Sequence, residues 1–345
     1  MTTAPRSNWP TAIEDLDDQP DSWAHVAVVV ATWTVLGGLA LIAAGRFSHL
    51  DDAIGWPYPA IDALSPLIFL LAYPTVAVGF ALRRNLLTIA GATLVVLHLL
   101  LVAPEVWPGS APTAPAGSSG LRLLTANVRF DNPAAGGLGT QIRAQRPDIV
   151  VLEELSPTSY GDLSRTGALA GYRYQAVHLD LGAFGSGVFS RYPLTGDTVP
   201  RVAGTMMQRV TVTLTASRRF TLYAVHTLAP KTRSTTGRWR TQLQYLRNQA
   251  HADERSGAPL VLAGDFNATR DNRPFERVAH TGLRDAHDVA HAGWAPTWSA
   301  TVALLPTTVR IDHVLVSRRF TVTSYATGSR FGSDHLPVLV GLAMS

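Results

Sequence analysis

Three long apolar segments near the N-terminus constrain the fold of this chain more than any other feature. Residues 25–44, 64–82 and 86–103 each run for about 20 positions without Asp, Glu, Lys or Arg, the length needed to cross a hydrocarbon layer of about 30 Å. Buried helices of a soluble domain normally carry a polar stripe, and these segments carry almost none. The sequence therefore predicts a three-span membrane anchor over residues 23–103, behind an acidic tail at residues 1–22.

The basic residues near the span ends predict an orientation. Arg83 and Arg84 lie in the very short second loop, and such pairs stay on the cytoplasmic side. The third span then leads out of the cytoplasm, although Arg46 in the first outer loop runs against this assignment. We therefore expect a multi-pass protein of the cell membrane whose C-terminal part is extracytoplasmic.

Charge and cysteine content restrict the possible chemistry. Four basic and nine acidic residues precede Gly120, a net charge of −5, which leaves 25 basic and 16 acidic residues, net +9, for the rest. A basic domain suits a phosphate-bearing partner, although Lys231 is the only lysine and the many arginines could reflect codon bias. The chain has no cysteine, which excludes disulfides, thiolate metal ligands and cysteine nucleophiles.

A tether separates the anchor from a second domain. Residues 104–120 are rich in Pro, Gly, Ser and Ala and predict an extended linker without helix or strand. Even when fully extended, this linker would reach only roughly 50 Å at about 3.1 Å per residue. The second domain is expected at residues 121–345.

Short apolar or alternating runs in this second domain predict strands, and two longer amphipathic stretches predict helices. The strand candidates are residues 121–128, 149–152, 172–179, 187–190, 210–214, 220–225, 260–263, 311–316, 320–325 and 338–342, and the helix candidates are residues 137–145 and 236–252. Many strands with few helices favour an α+β fold, a two-sheet α/β sandwich with the helices outside.

Acidic, amide and imidazole side chains recur where these predicted strands end. Singly, each has a simpler explanation as a turn residue. Together they form a set of groups that can bind a hard cation, orient water or donate to a phosphoryl oxygen. The set comprises Asn127, Glu153, Glu154, His226, Asp265, Asn267, Asp312, Asp334 and His335.

The segments that carry these residues resemble the endonuclease/exonuclease/phosphatase family of deoxyribonuclease-like, metal-dependent phosphoesterases. The motifs are Pro-Asp-Ile-Val-Val-Leu-Glu-Glu, Gly-Asp-Phe-Asn, Arg-Ile-Asp-His and Gly-Ser-Asp-His, which stand in the family's order. The resemblance covers residues 121–345 and implies a deoxyribonuclease-like sandwich, with the membrane anchor outside it. The spacing from Asp148 selects Glu154 rather than Glu153 as the metal ligand.

The resemblance also implies a metal-binding role for two residues. Glu154 is expected to bind Mg²⁺, with Mn²⁺ as a possible substitute, and Asn127 to assist it. Magnesium prefers oxygen ligands and keeps several waters, so one or two protein groups are enough.

The remaining residues are expected to act on water and on the phosphoryl group. Asp265 would orient and deprotonate the attacking water, and Asn267 would donate to the phosphate from the same side of the chain. His226 and His335 would donate to phosphoryl oxygens or to the leaving group. Asp334 or a neighbouring carboxylate would hold an imidazole charged, and Asp312 would be a further acid of the pocket.

Several functions remain open at this point. A membrane-anchored hydrolase of a phosphodiester, phosphomonoester or diphosphate is the favoured function, with a lipid-linked phosphate as the preferred substrate. A membrane-tethered nuclease and an inactive phosphate-binding module are the alternatives. The glycine-rich residues 182–187 are expected to form a turn, and Trp294 and Trp298 to serve in packing.

Overall fold

The computed structural model describes residues 23–299 and 307–345, so the predicted acidic tail lies outside the described residues. Helices form the N-terminal part: α1 (Trp23–Phe47), α2 (Leu50–Ala53), α3 (Tyr58–Ile68), α4 (Ala72–Ala81) and α5 (Asn85–Val106). A 3₁₀ turn at Phe69–Leu71 joins α3 to α4.

Three helical segments in the described part of the chain are long and apolar enough to span a membrane. They are Trp23–Phe47, Tyr58–Ala81 and Asn85–Val106, with mean hydropathies of 2.3, 1.8 and 2.5. Only 22% to 28% of the residues in their most apolar windows are buried, and large side chains such as Leu41, Phe80 and Leu86 are exposed. Exposed apolar surface of this extent is typical of helices that insert into a membrane.

The predicted boundaries of the linker differ from the structure at both ends. Helix α5 continues through Pro104 to Val106, since a proline in the last turn removes only one hydrogen bond of the helix. The first strand begins at Ser119. In between, the chain runs along the second domain, where the Gly109 N–H donates to the His291 carbonyl at 2.9 Å.

The second domain contains two six-stranded sheets. The strands are β1 (Ser119–Asn127), β2 (Ile149–Glu153), β3 (Tyr174–His178), β4 (Ser186–Ser190), β5 (Leu194–Thr198), β6 (Arg201–Val202), β7 (Thr205–Met206), β8 (Gln208–Thr213), β9 (Arg219–His226), β10 (Leu260–Asp265), β11 (Arg284–Asp285), β12 (Asp312–Val316), β13 (Phe320–Thr327) and β14 (Val338–Met344). The first sheet has the order β13-β14-β1-β2-β4-β3, and the second has the order β11-β12-β10-β9-β8-β5. Strands β6 and β7 form a separate pair.

Helices cover the outer faces of the two sheets. These outer helices are α6 (Gly137–Gln145), α7 (Pro157–Arg165), α8 (Arg233–Ser256) and α9 (Arg273–Ala279). The short α10 (Ala286–Ala290) instead packs against β12 and β13 and contributes Ala286 and Ala290 to the core between the sheets. Leu138 and Ile142 of α6 pack on the first sheet, and Trp239 and Leu243 of α8 pack on the second. The predicted two-sheet sandwich is therefore confirmed.

Alternation along the central strands explains where the polar residues lie. Leu123 of β1 and Val261 and Ala263 of β10 belong to the core between the sheets, whereas the residues between them face the outer helices. Because side chains two apart share a face, Asn127 and Asp265 continue the inward rows at the ends of their strands. The core thus becomes polar at one end of the sandwich.

The second domain rests on the anchor at the end of α1 and α5. Arg46 Nη2 lies 2.6 Å from Asp271 Oδ1, and the Arg273 N–H donates to Asp51 Oδ2 at 2.7 Å. These contacts use Arg46, the residue whose position ran against the predicted orientation.

Candidate active site

The register of the central strands brings the predicted residues together. In the first sheet, parallel pairing sets Asn127 beside Glu153. In the second sheet, Asp265 lies beside His226 on one side and Asp312 on the other. All of these residues end a strand or begin one at the same edge, which is why groups far apart in sequence meet there.

Asp265, Asp312 and His335 form the most buried part of the site. His335 Nδ1 lies 2.9 Å from Asp312 Oδ2, and its Nε2 lies 3.7 Å from Asp265 Oδ2. The Asp312 N–H is itself held by the Thr297 hydroxyl at 3.1 Å. Asp312, rather than Asp334, is therefore the carboxylate bonded to the His335 ring, one of the two arrangements left open by the sequence.

These contacts shift the proton equilibria. Burial alone would lower the pKa of His335, but Asp312 and Asp265 outweigh it and raise that pKa to about 10. Burial raises the pKa of Asp265 to about 6, although His335 opposes the shift. The His335 imidazole is thus charged near neutral pH, and the Asp265 carboxyl titrates close to neutral pH.

Asn127, Glu154 and His226 form the neighbouring, more open part. Asn127 Nδ2 donates to Glu154 Oε1 at 3.0 Å and to Asp265 Oδ2 at 3.1 Å. His226 Nε2 lies 3.6 Å from Glu154 Oε1 and 3.7 Å from Asp265 Oδ2. Glu154 reaches this position because its backbone is left-handed, with φ of 54°, so it leaves the direction of strand β2.

Asn267 contacts Asp265, but its backbone conformation differs from the predicted one. Its backbone is also left-handed, with φ of 46°, rather than extended. Its N–H donates to Asp265 Oδ1 at 2.7 Å, and its amide donates to Asp265 Oδ2 at 3.1 Å and to the Thr227 carbonyl at 2.8 Å. Asn267 therefore fixes the Asp265 carboxylate, and its predicted donation to phosphate stays a prediction.

Glu153, the neighbour of Glu154, lies in a different environment. It is fully buried and accepts a hydrogen bond from the Thr125 hydroxyl at 2.7 Å. Burial raises its pKa well above the usual value, because it disfavours the charged form of the carboxyl. The role of Glu154 as the metal ligand stays a prediction.

The polar groups lie at the floor of a cavity of about 490 Å³. Asp334 lines it and accepts from Trp298 Nε1 at 3.1 Å, so Trp298 belongs to the site rather than to packing alone. Phe130, Phe184 and Lys231 also line the cavity and were not predicted. Phe184 lies in the glycine-rich segment, with its ring centroid 6.3 Å from that of His226.

The donor set fits a hard divalent cation. Asp265 and Asp312 offer carboxylate oxygens within 4.8 Å of one another, and Glu154 and Asn127 lie beside them. In the part of the chain that the structure describes, His226 Nδ1 and Asp312 Oδ1 are buried without a hydrogen-bond partner. Oxygen donors of this kind suit Mg²⁺ or Mn²⁺, and Asn127 can offer its oxygen once the amide turns over.

Comparison with known proteins identifies the class. The endonuclease/exonuclease/phosphatase family matches residues 124–335, more than half of the chain, and the chain belongs to this family. Its members are hydrolases of phosphoester bonds that generally use a divalent metal. None of the curated protein sequences matches the chain significantly.

Solved structures share the sandwich. An endonuclease/exonuclease/phosphatase from Beutenbergia cavernae is 22% identical with a TM-score of 0.51, over 66% of this chain and 72% of that one. A 3′ phosphatase from Neisseria bound to a product DNA hairpin is 18% identical, TM-score 0.51, over 64% and 98%. A mannosyl-6-phosphatase from Bacteroides thetaiotaomicron is 17% identical, TM-score 0.50, over 64% and 99%. At these identities the likeness shows the fold alone.

Proposed function

We propose that this chain is a magnesium-dependent phosphoester hydrolase of the cell membrane that acts on a membrane-proximal, lipid-linked phosphate. The observation that carries the hydrolase assignment is the convergence of Asp265, a charged His335 and Glu154 on one cavity, with Asn127 hydrogen-bonded to Glu154 beside it. An inactive phosphate-binding module would have no need to keep all of these groups together.

Asp265 is the group that handles water. Glu154 and Asn127 would hold Mg²⁺, and the bound ion would neutralise negative charge on the phosphoryl group. Asp265, with its pKa raised to about 6, orients a water for in-line attack and takes its proton. Asn267 keeps the Asp265 carboxylate aimed at that water through its two hydrogen bonds.

His335 and His226 serve the phosphoryl group. Asp312 holds the His335 ring from the Nδ1 side, which leaves the Nε2–H facing the cavity. There it donates to a phosphoryl oxygen or protonates the leaving oxygen, where negative charge accumulates in the transition state. His226, on the other side of Glu154, donates to a second oxygen.

The proposed location rests on the anchor and on the positive-inside rule. Loop 1, residues 48–57, contacts the catalytic domain. Loop 1 and the catalytic domain are each separated from Arg83 and Arg84 by one span, so both lie on the side opposite to that pair. A reporter fused after Ser345 should therefore behave as extracytoplasmic. A phosphatase-type reporter active only when fused after Arg84 would overturn this orientation.

The preferred substrate follows from confinement. The catalytic domain contacts the anchor directly, so its site stays near the bilayer, where a lipid-linked substrate is concentrated. A nuclease is the alternative, and the net +9 charge of the C-terminal part suits either substrate.

One comparison decides between the two. The full chain, purified in detergent with Mg²⁺, is assayed on plasmid DNA and on lipid phosphoesters and diphosphates in mixed micelles, with Asp265→Asn as the inactive control. Release of phosphate or of a head group from the lipids supports the proposal. Rapid nicking of DNA without release from any lipid would replace it with a membrane-tethered nuclease.

A further inference from the structure

One wall of the catalytic cavity comes from the membrane anchor. Pro59, Ala60, Ala63 and Leu64 line the same cavity as Glu154 and the other polar groups of its floor. Ala60, Ala63 and Leu64 are spaced three and four residues apart, so they share one face of helix α3. Ala60 and Leu64 are exposed, and their side chains are free to meet a ligand.

The loop that carries Asn267 holds this wall in place. Asn272, five residues further on, is buried, and its amide donates to the Pro59 carbonyl at 3.0 Å. The next residue, Arg273, donates its N–H to Asp51 at 2.7 Å. The position of α3 is therefore fixed relative to the catalytic residues.

The sides of the cavity are apolar. Phe130, Phe184 and Leu228 come from the catalytic domain and face the wall of α3. Among the described residues that line the cavity, Lys231 is the only Lys or Arg. A site that follows a nucleic acid backbone uses a positively charged groove, and this lining does not supply one.

The apolar wall continues into the membrane. Helix α3 leads through Ile68 into the 3₁₀ turn, where Leu70 and Leu71 are exposed within the second candidate span. A ligand that lies along Ala60 and Leu64 thus has a continuous apolar path from the phosphoryl group to the lipid.

We propose that the Ala60–Ala63–Leu64 face of α3 is part of the substrate-binding site and selects phosphoesters that carry a long alkyl or prenyl chain. The polar floor binds the phosphoryl group, and the chain lies along α3 toward the bilayer. This inference rests on the proposed hydrolase function and assigns the anchor a direct role in specificity.

The test uses the full chain in lipid nanodiscs with Mg²⁺ and two chromogenic diesters, methyl and dodecyl p-nitrophenyl phosphate, which share the scissile bond and differ in the chain. Dodecyl and butyl phosphate are run beside them for phosphomonoester hydrolysis. Ala60→Trp fills the path along α3, and Ala60→Glu places a charge on it. Ala53→Trp, at an exposed position at the end of α2 and outside the cavity lining, is the matched control.

Wild type and Ala53→Trp should show the same preference for the dodecyl over the short-chain substrate. Ala60→Trp and Ala60→Glu should reduce that preference at least tenfold, mainly through a higher KM for the dodecyl substrate. Partition into the nanodisc is common to all four proteins, so it cannot produce this difference. Hydrolysis with an unchanged preference in both Ala60 variants overturns the role of α3 and leaves the hydrolase intact, whereas no hydrolysis of any substrate by wild type overturns both.

Discussion

Two buried clusters of acidic and cationic side chains lie in the same domain, and their hydrogen bonding differs. In the first cluster, Arg310 donates to Glu105 at 2.7 and 2.9 Å and to Asp285 at 2.7 Å, and His313 lies 2.7 Å from the same Asp285 oxygen. This Arg310 cluster joins the end of α5 to the second domain.

The side chains of the active-site cluster make fewer close hydrogen bonds to one another. His226 lies 3.6 Å from Glu154 and 3.7 Å from Asp265, and His335 lies 3.7 Å from Asp265. Asp312 Oδ1 is one of its buried atoms without a partner among the described residues. Buried polar groups are normally paired, so the unpaired Asp312 oxygen suits a site that a ligand completes, whereas the acids of the Arg310 cluster are already paired with Arg310.

The largest expected effect would separate the two clusters by activity. Asp265→Asn removes the proton acceptor and should lower turnover by about 10²-fold to 10⁴-fold. Its Tm should stay equal or rise, because the change removes a buried acid that burial disfavours. Asp285→Asn is the matched change in the Arg310 cluster, where Arg310 and His313 overcome burial and hold the pKa of Asp285 well below its usual value.

Asp285→Asn should therefore lower Tm and change turnover much less. Both quantities are measured on the full chain in detergent, with thermal unfolding beside initial rates. If both variants lose activity to the same extent, the distinction between a structural and a catalytic cluster is wrong.

A second prediction uses the adjacent glutamates and the metal. Glu154→Gln should lower turnover at least about 10²-fold and raise the Mg²⁺ concentration needed for half-maximal rate. Glu153→Gln should keep most of the activity, because burial already disfavours the charged form of the native carboxyl. A chelator should abolish wild-type activity, and Mg²⁺ should restore it.

The reverse result, in which Glu153→Gln is the inactive variant, would transfer metal binding to Glu153. Activity that persists in the chelator would remove the metal from the proposal.

A third prediction would break the joint between anchor and domain. Arg310→Met leaves the Glu105 and Asp285 carboxylates buried without their partner, which should cost about 3–5 kcal/mol of folding free energy. Arg255→Met, at an exposed position in the last turn of α8, is the control. Thermal unfolding in detergent measures both, and equal Tm values for the two variants would show that the joint adds nothing to stability.

The sequence was sufficient to predict the sandwich, and to name polar residues that the fold brings together, because both depend on local patterns. Alternation along 121–128 and 260–263 predicted β1 and β10, and the motifs around Asp265 and His335 carried the chemistry. The short elements β11 (Arg284–Asp285) and α10 (Ala286–Ala290) escaped prediction, since two to five residues carry too little periodicity.

Contacts between distant segments could not be predicted either. Arg310 and Glu105 are 205 positions apart, and Asn272 and Pro59 are 213 apart. A single sequence holds no signal that pairs them, so the linker was expected to separate the domains. His313 had no predicted role and lies in the Arg310 cluster. Its place there could not be predicted for the same reason.

The smallest predicted effect concerns pH and Glu153. Its folded pKa lies well above the ordinary 4.5, so the folded state keeps a proton that the unfolded state releases. The stability from this group is fully present below about pH 4.5 and is lost as pH rises through the folded pKa, by at most about 1.4 kcal/mol per pH unit.

Glu153→Gln cannot lose a proton and should escape this loss. Without added divalent cation, wild-type Tm should therefore fall relative to that of Glu153→Gln as the pH rises above the ordinary pKa of 4.5. Burial of the new amide shifts the variant by a constant amount, so the slope with pH is the signal. Parallel pH profiles would mean that Glu153 has an ordinary pKa in the folded state, and the contrast with Glu154 would then rest on geometry alone.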